Sequence, residues 1–534
     1  MTSPSNQTVF DKRDLLLAIG IALFALVIYI RVLAPDILYS DSGEFQTLAY
    51  TWGMTHTTGY PVYLILARII GLLPIGTMAW RINLFSALCA AYTLGGVYLI
   101  TRHLSGRGGA LLASLVLMIS YTFWSQSIIA EVYTPATAFI VTVLLILLTW
   151  RRQPQKRHWL LFLAGFLLTL GLGVHMFLML MAPTVFLFVG LGILFGAPEE
   201  RGDWRHLLRL IAGTLVGFAT FFLLFSFIDT RPTQTNIFTT SIYPARSAWG
   251  LQESDFDSEP KRFVLSVSGR QWQDAMLPQG ENYQTVISSF LRVDLVREFA
   301  TPTLLLALIG ALALLLQKRR LFALIGVGLI VAFAAGLVYF PGDKYIFYLP
   351  AYLMLTIFAG AGAGAVIALV NHFLPRIIPR AVPAVILTVI LIALCAAPFI
   401  NIRWKSVQIG RSGFITDDYV YPVSRPMEPR RAAECALAKV VEPQAFLLMG
   451  WQALYSIYYV AHVEQGRTGI VLREAVPHPL NEVAEGLRDE IAEQIKSGVA
   501  VYADNPYPPL SQTYTFTPVA GCRAYPMFRL SPKS

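Results

Sequence analysis

Two carboxylates stand three residues apart in the run Asp36-Ile37-Leu38-Tyr39-Ser40-Asp41-Ser42-Gly43-Glu44, and a histidine follows in His56-Thr57-Thr58-Gly59-Tyr60-Pro61. On a helix such a spacing puts Asp41 and Glu44 on one face. A carboxylate beside a lipid surface can act as general base toward a hydroxyl, and partial loss of water raises its pKa toward that task. Asp41 is the leading candidate for the base and Glu44 the second, with His56 and Tyr60 beside them as substrate-binding candidates. The alternative is structural: Asp-Ser-Gly suits a helix N-cap, so that Asp41 or Glu44 would cap the helix that follows.

Polar groups recur at other junctions between apolar runs. Glu131 and Tyr133 lie in Ala130-Glu131-Val132-Tyr133-Thr134-Pro135, His175 ends Gly171-Leu172-Gly173-Val174-His175, and Asp343 lies in Pro341-Gly342-Asp343-Lys344-Tyr345. A charge at membrane depth is costly and tends to face a polar interior. His175 could donate to a phosphate oxygen. The structural alternatives are a helix-start charge for Glu131, a satisfied interfacial histidine for His175 and an ordinary polar turn for Asp343. The segment 229–300 adds Tyr243, Arg246, Trp249, Arg270 and Trp272. Arginine suits a phosphate and aromatic rings suit sugar faces, although each could equally be a packed loop residue. No CxxC, HExxH or Cys/His cluster occurs, so no metal ligand is assigned, and a divalent-metal requirement stays open.

The elements that hold these residues must be membrane helices. Of 534 residues, 55% are hydrophobic and only 14% charged, against about 25% charged in a soluble domain. A span needs roughly 20 apolar residues. Candidate spans fall at 14–33, 81–101, 108–125, 132–150, 158–174, 176–196, 207–228, 301–317, 320–340, 345–371 and 381–400, about eleven in all. The first is read as a span and not as a cleaved leader, because no Ala-x-Ala site follows it. The apolar stretch 60–73 would cover about 21 Å, too short for a core of roughly 30 Å, and is expected to lie along the interface.

Charge sets the orientation. The net charge of +9 sits in short clusters at Lys12/Arg13, Arg102/Arg107, Arg151/Arg152/Lys156/Arg157, Arg201/Arg205/Arg209, Lys318/Arg319/Arg320 and Arg376/Arg380. That is the pattern of cytoplasmic loops, and it argues against a nucleic-acid partner. Segments 34–80, 229–300 and 401–534 then lie outside. The tail reads as strand 446–449, helix 455–463, strand 468–473, helix 481–497 and strand 499–502, a small α/β unit without a nucleotide motif. The four cysteines (Cys89, Cys395, Cys435, Cys522) do not read as a disulfide framework. The fold class is therefore a polytopic α-helical membrane protein (1–400) with a small extracytoplasmic C-terminal α/β domain (401–534). Compact loops without an evident retention signal suggest a bacterial inner membrane.

The run from Asp41 to Pro61, followed by Arg81-Ile82-Asn83-Leu84-Phe85-Ser86, resembles the opening of the transmembrane protein 260-like family, protein O-mannosyltransferase-like membrane proteins once filed under unknown function. Further matches are 130–135, 171–175, Tyr243-Pro244-Ala245-Arg246 and Asp343 to Tyr348-Leu349-Pro350, with a weaker continuation through Tyr458, Gly466 and Arg467. Where that family often carries Gly-Asp-x-Asp, this chain has Gly450-Trp451-Gln452-Ala453. The family is similar to the GT-C glycosyltransferases. The resemblance implies a GT-C-like fold, a polyprenyl-phosphate sugar as donor (mannose being one candidate sugar), a protein or glycan acceptor at the extracytoplasmic face of the bilayer, and inversion at the sugar carbon. It also implies Asp41 as base and His175 at the position of a basic residue between the fifth and sixth spans. The competing readings are a transporter or flippase for a lipid-linked sugar, which would need polar groups deep in the spans, and a non-catalytic envelope assembly protein. Convergence of Asp41, Glu44, Glu131 and His175 on one cavity is the discriminating test.

Overall fold

The computed structural model describes residues 11–196, 201–277, 280, 282–373, 379–409, 427–519, 522 and 526–533. The first part of the chain forms α1 (Lys12–Val32), α2 (Ser40–Thr51), α3 (Pro61–Gly71), α4 (Met78–Leu104), α5 (Arg107–Ile119), α6 (Tyr121–Ser127), α7 (Tyr133–Arg152), α8 (Trp159–Leu170), α9 (Phe177–Phe195) and α10 (Trp204–Asp229). A connecting segment with α11 (Glu259–Val267), α12 (Tyr283–Ser289) and α13 (Leu295–Glu298) leads to α14 (Thr301–Gln317), α15 (Arg319–Val338), α16 (Leu349–Phe373) and α17 (Ala381–Ile409).

Each expected span is helical, yet they differ in kind. Among the described residues eight helices are long and apolar enough to cross a membrane, or up to ten if each bent pair counts as one span. The expected span 108–125 is broken at Ser120, where α5 and α6 meet at 67°. The buried Glu298 carboxylate holds that break open by accepting from Thr122 N at 3.0 and 3.1 Å. Helix α8 has only 12 residues before a 3-10 turn, and α14 has 17. The interfacial stretch is α3, an 11-residue helix with proline in its first turn. Helix α17 runs past the expected boundary at 400 to Ile409. The basic residues at 376 and 411 fall outside the described residues.

Outward faces are apolar. On α1, Ala18, Ile21, Ala25, Tyr29 and Val32 are buried, while Leu16, Ile19, Leu23 and Val27 are exposed. An amphipathic soluble helix would put charge on that second face; here it faces lipid, and the chain is a multi-pass membrane protein. With no hydrophobic drive between helices in lipid, close backbone approach holds them together. A Cβ at Gly109 on α5 would fall 2.0 Å from Gly360 O on α16, so glycine is what lets the two helices touch.

The tail adds α18 (Glu428–Lys439), β1 (Ala445–Met449), α19 (Trp451–Tyr458), β2 (Ile470–Glu474), α20 (Glu485–Lys496), β3 (Ala500–Ala503), α21 (Leu510–Thr513), β4 (Tyr514–Val519) and β5 (Met527–Pro532). The sheet order is β2-β1-β3-β5-β4, with β2, β1 and β3 parallel and β5 antiparallel to both β3 and β4. Parallel pairing requires crossovers, which α19 and α20 supply. The sequence reading found β1, β2 and β3 and missed the β4–β5 hairpin. It also missed a disulfide between Cys435 and Cys522, with Cα atoms 5.9 Å apart. Those cysteines are 87 residues apart in sequence and meet only because β5 returns beside β3. Of the two free cysteines, Cys395 is buried and Cys89 partly buried.

The tail docks on the first loop. Asp36 pairs with Arg430 of α18 through both carboxylate oxygens, one at 2.8 Å, and Arg430 also holds Glu464 at 2.6 Å. Thr47 Oγ1 donates to Tyr455 O at 2.9 Å, and Ala79 N donates to the Tyr459 hydroxyl at 3.1 Å. Gly43 lets the loop fold back on the start of α2, since a Cβ there would fall 2.5 Å from Leu38 O.

Candidate active site

A cavity of about 450 Å³ lies between one end of the helix bundle and the tail. Its bundle wall includes Asp41, His56, Tyr60, Tyr133, His175 and Asp343. Its tail wall includes Trp451, Gln452, Glu474 and His478, and the connecting segment adds Gln271 and Trp272. The basic clusters at Arg102/Arg107, Arg151/Arg152 and Lys318/Arg319 sit at the opposite ends of the same helices.

Helix α2 carries the central carboxylate, and its start is held by a buried polar network. Leu38 N donates to Gln46 Oε1 at 2.9 Å, Gln46 Nε2 to Asn83 Oδ1 at 2.7 Å, and Asn83 Nδ2 to Ala34 O at 2.9 Å. The N-cap is Tyr39, with no side-chain capping bond. The capping alternative for Asp41 and Glu44 is therefore not what the fold uses. Asp41 stands in the first turn, where the helix dipole favours an anion. One of its oxygens accepts from the Trp451 indole Nε1 at 2.8 Å, and the other lies 3.9 Å from His56 Nε2.

Glu44 does share a face with Asp41, and His56 bridges the two. Glu44 is fully buried and does not line the cavity. It accepts from His56 N at 2.8 Å and makes a short contact with His56 Nδ1. Burial alone would lower the His56 pKa, but the Glu44 and Asp41 carboxylates overcome it and push the ring up to about 9. Burial pushes the Glu44 carboxyl up, while the imidazolium pulls it back. The buried contact is an ion pair in which Glu44 fixes the ring and keeps it charged. Glu44 thus faces His56 and not the cavity.

Glu131 is likewise buried behind α2, 3.5 Å from Ser42 Oγ, with its backbone N donating to Ser86 Oγ at 3.1 Å. Its charge is felt at His56, but it does not line the cavity. His175 does, stacked on Tyr60 with centroids 6.0 Å apart and planes 6° apart. Its Nδ1 accepts from Phe177 N at 3.2 Å, leaving the proton on Nε2. Burial and the nearby His56 charge push its pKa down to about 3, so at this position, where the resemblance puts a basic residue, the chain has a neutral hydrogen-bond donor. The Tyr133 hydroxyl lies 3.5 Å from Asp343 Oδ2. Burial, with the Asp41 charge adding to it, pushes Asp343 up to about 6.

Of the contacts expected from 229–300, Trp272 lines the cavity, whereas Tyr243, Arg246, Trp249 and Arg270 do not. Tyr243 and Arg246 both turn to Glu253, at 2.9 and 3.2 Å, on the surface. Arg270 donates to Trp249 O at 2.8 Å and to Gln273 Oε1 at 3.0 Å. The residues lining the cavity include no lysine or arginine, and His56 is its charged base. Sequence reasoning passed over Trp451, Gln452, Glu474, His478 and Gln271, whose signals were ordinary soluble-domain or loop composition. Burial raises Glu474 to about 7. His478 pairs with Asp274 at 2.9 Å and stacks on Trp272 at 4.5 Å. Among the described residues no group of three or more His, Cys, Asp or Glu side chains is placed to hold a metal ion.

A bundle of apolar helices, an acidic first loop at one end and a soluble α/β unit closing over it define the GT-C class of membrane fold. The crystal structure of ArnT from Cupriavidus metallidurans bound to undecaprenyl phosphate matches with a TM-score of 0.57 at 14% identity, over 96% of this chain and 97% of that one. The Archaeoglobus fulgidus oligosaccharyltransferase tethered with an acceptor peptide matches with a TM-score of 0.53 at 12% identity, over 97% and 74%.

Residues 41–191 match the family model described as the Protein O-mannosyl-transferase TMEM260 N-terminal domain. The mouse protein O-mannosyl-transferase TMEM260 is 36% identical over 125 residues, 23% of this chain and 18% of that protein. Its Dictyostelium discoideum counterpart is 23% identical over 387 residues, 65% of this chain and 44% of that protein. The chain thus spans less than half the length of these relatives, and the resemblance read from the motifs is borne out.

Proposed function

We propose that this chain is a membrane glycosyltransferase that moves a sugar from a polyprenyl-phosphate donor to a hydroxyl of a protein or glycan outside the cytoplasm. Mannose is the first sugar to try, because the curated relatives carry that activity in their names. A lipid-phosphate donor agrees with undecaprenyl phosphate bound to the ArnT fold neighbour. The observation that carries the reading is Asp41: a partly exposed carboxylate on the cavity wall, held by the Trp451 indole and facing His56.

In this mechanism Asp41 takes the proton of the acceptor hydroxyl as its oxygen bonds to the sugar C1. The bond from C1 to the phosphate oxygen breaks, and the lipid phosphate leaves with the electron pair. No second carboxylate is assigned as nucleophile, so the outcome is inversion. The His56 imidazolium, kept charged by Glu44, stabilises the charge that grows on the departing phosphate. His175 Nε2–H adds a neutral hydrogen bond. Basic clusters at the far ends of the helices support a cavity and tail outside the cytoplasm, and a disulfide in the tail fits an oxidising compartment.

The test is sugar transfer in membranes supplied with polyprenyl-phosphate mannose and its glucose and galactose counterparts, with wild type beside Asp41→Asn. Loss of a positioned base lowers the rate by about 10²–10⁴-fold. Equal transfer by a folded Asp41→Asn variant would remove Asp41 from the chemistry.

A further inference from the structure

Three polar atoms on the cavity wall are buried and have no hydrogen-bond partner: Ser40 Oγ, Gln271 Oε1 and Glu474 Oε2. Their residues are 1%, 7% and 4% exposed. They come from three distant parts of the chain, the start of α2, the connecting segment and the end of β2. Native interiors leave few such atoms unsatisfied, because each forfeits its bond to water without replacement. Other buried polar atoms in the described residues also lack a partner; what sets these three apart is that their residues line one cavity, where an occupant can supply the missing bonds.

All three can accept a hydrogen bond: the Gln271 amide oxygen only accepts, the Ser40 hydroxyl can also donate, and Glu474 Oε2 only accepts while the carboxyl is ionised. The occupant must therefore present several donors at once. An apolar group leaves the atoms unpaired. A phosphate brings acceptors, and it meets Asp41, Asp343 and Glu474 with no lysine or arginine among the lining residues. A pyranose ring carries several hydroxyl donors on one rigid body and offers a C–H face to an aromatic plane. Trp272, stacked on His478 with planes 15° apart, provides a plane on the same wall. Ser40 adjoins Asp41 in the chain, which ties a ring held there to the reacting position.

We propose that Ser40, Gln271, Glu474 and Trp272 form the subsite for the ring of the transferred sugar. This rests on the glycosyltransferase reading and adds where sugar choice resides: in residues outside the helix bundle, with Glu474 of the tail reading hydroxyl configuration. The subsite takes a neutral, polyhydroxylated ring.

The full chain in detergent is titrated with the methyl α-glycosides of mannose, glucose and galactose, read by tryptophan fluorescence, since Trp272 and Trp451 both line the cavity. Wild type is expected to bind one epimer best. Glu474→Gln and Gln271→Ala are expected to weaken that binding about tenfold or more, with Ser40→Ala as a third variant should either fail to fold. With polyprenyl-phosphate donors, Glu474→Gln is expected to shift the kcat/KM ratio between epimers by a similar factor. A flat titration in wild type, or unchanged binding in all folded variants, overturns the subsite. Asp41→Asn separates the two readings: it is expected to lose transfer while binding the methyl glycoside as wild type does. Transfer by Asp41→Asn at the wild-type rate overturns the base and leaves the subsite standing.

Discussion

At the residue scale the informative unit is Glu44–His56–Asp41. Glu44 has no access to substrate, and its effect passes through the ring it holds. The proposed mechanism uses a charged His56 at the departing phosphate, so activity is expected to persist at neutral pH and fall as pH rises through about 9, where the imidazolium loses its proton. Glu44→Gln removes the largest charge that raises this pKa. The alkaline fall should then begin at lower pH, while Asp41 remains in place. A pH–rate profile measures it, and an alkaline limb at the same pH in both proteins would show that Glu44 serves packing alone. The sequence displayed Asp41, Glu44 and His56 as chemistry-bearing types. It did not show that one carboxylate faces the cavity and the other faces the histidine, since a shared helical face leaves both options open.

At the element scale α2 is the part that must not move. It is fixed from the bundle by Gln46 and Asn83, and from the tail by the Asp36–Arg430 pair and the Thr47–Tyr455 bond. The Asp36 and Arg430 side chains are 7% and 15% exposed. Removing one partner of a buried pair leaves a charge without compensation and costs about 3–5 kcal/mol. Arg430→Met should lower the melting temperature of the purified protein and reduce transfer. The double variant Asp36→Asn with Arg430→Met should recover part of that stability, because the buried Asp36 charge is gone and only the more exposed Glu464 is left without its partner. Additive losses would argue that the two side chains are not coupled. Arg81-Ile82-Asn83-Leu84-Phe85-Ser86 makes sense at this scale too: Asn83 and Ser86 tie the start of α4 to the loop and to Glu131. Arg246, Tyr243 and Arg270 were misread because an arginine in a long segment finds local acceptors first, and sequence type does not say which.

At the scale of the whole molecule, the active cavity exists only where two bodies of different chemistry meet. The bundle side supplies Asp41, the proposed base, and the tail supplies the indole that holds it. The Cys435–Cys522 bond closes a long loop around the tail sheet, and its loss is expected to cost about 2–4 kcal/mol. Cys435→Ser leaves Cys522 as a free, partly exposed thiol. In intact cells a membrane-impermeant maleimide should label that thiol from outside, while wild type stays unlabelled. Labelling only after the membrane is opened would reverse the orientation.

Sequence alone determined the membrane class, where the apolar helices lie along the chain, and the gathering of basic residues at one set of helix ends. Those properties depend on local apolar length and on charge at helix ends, which are written in consecutive residues. The βαβ part of the tail was legible for the same reason, and the β4–β5 hairpin was not, since its strands bury few residues. Tertiary structure decided the rest of the site. Trp451 reaches Asp41 across 410 residues, and Ser40, Gln271 and Glu474 come together from three segments that share no pattern. Such contacts form because packing two surfaces buries polar atoms that then have to be satisfied by a neighbour or by a ligand, and no periodicity along the chain encodes which neighbour that will be.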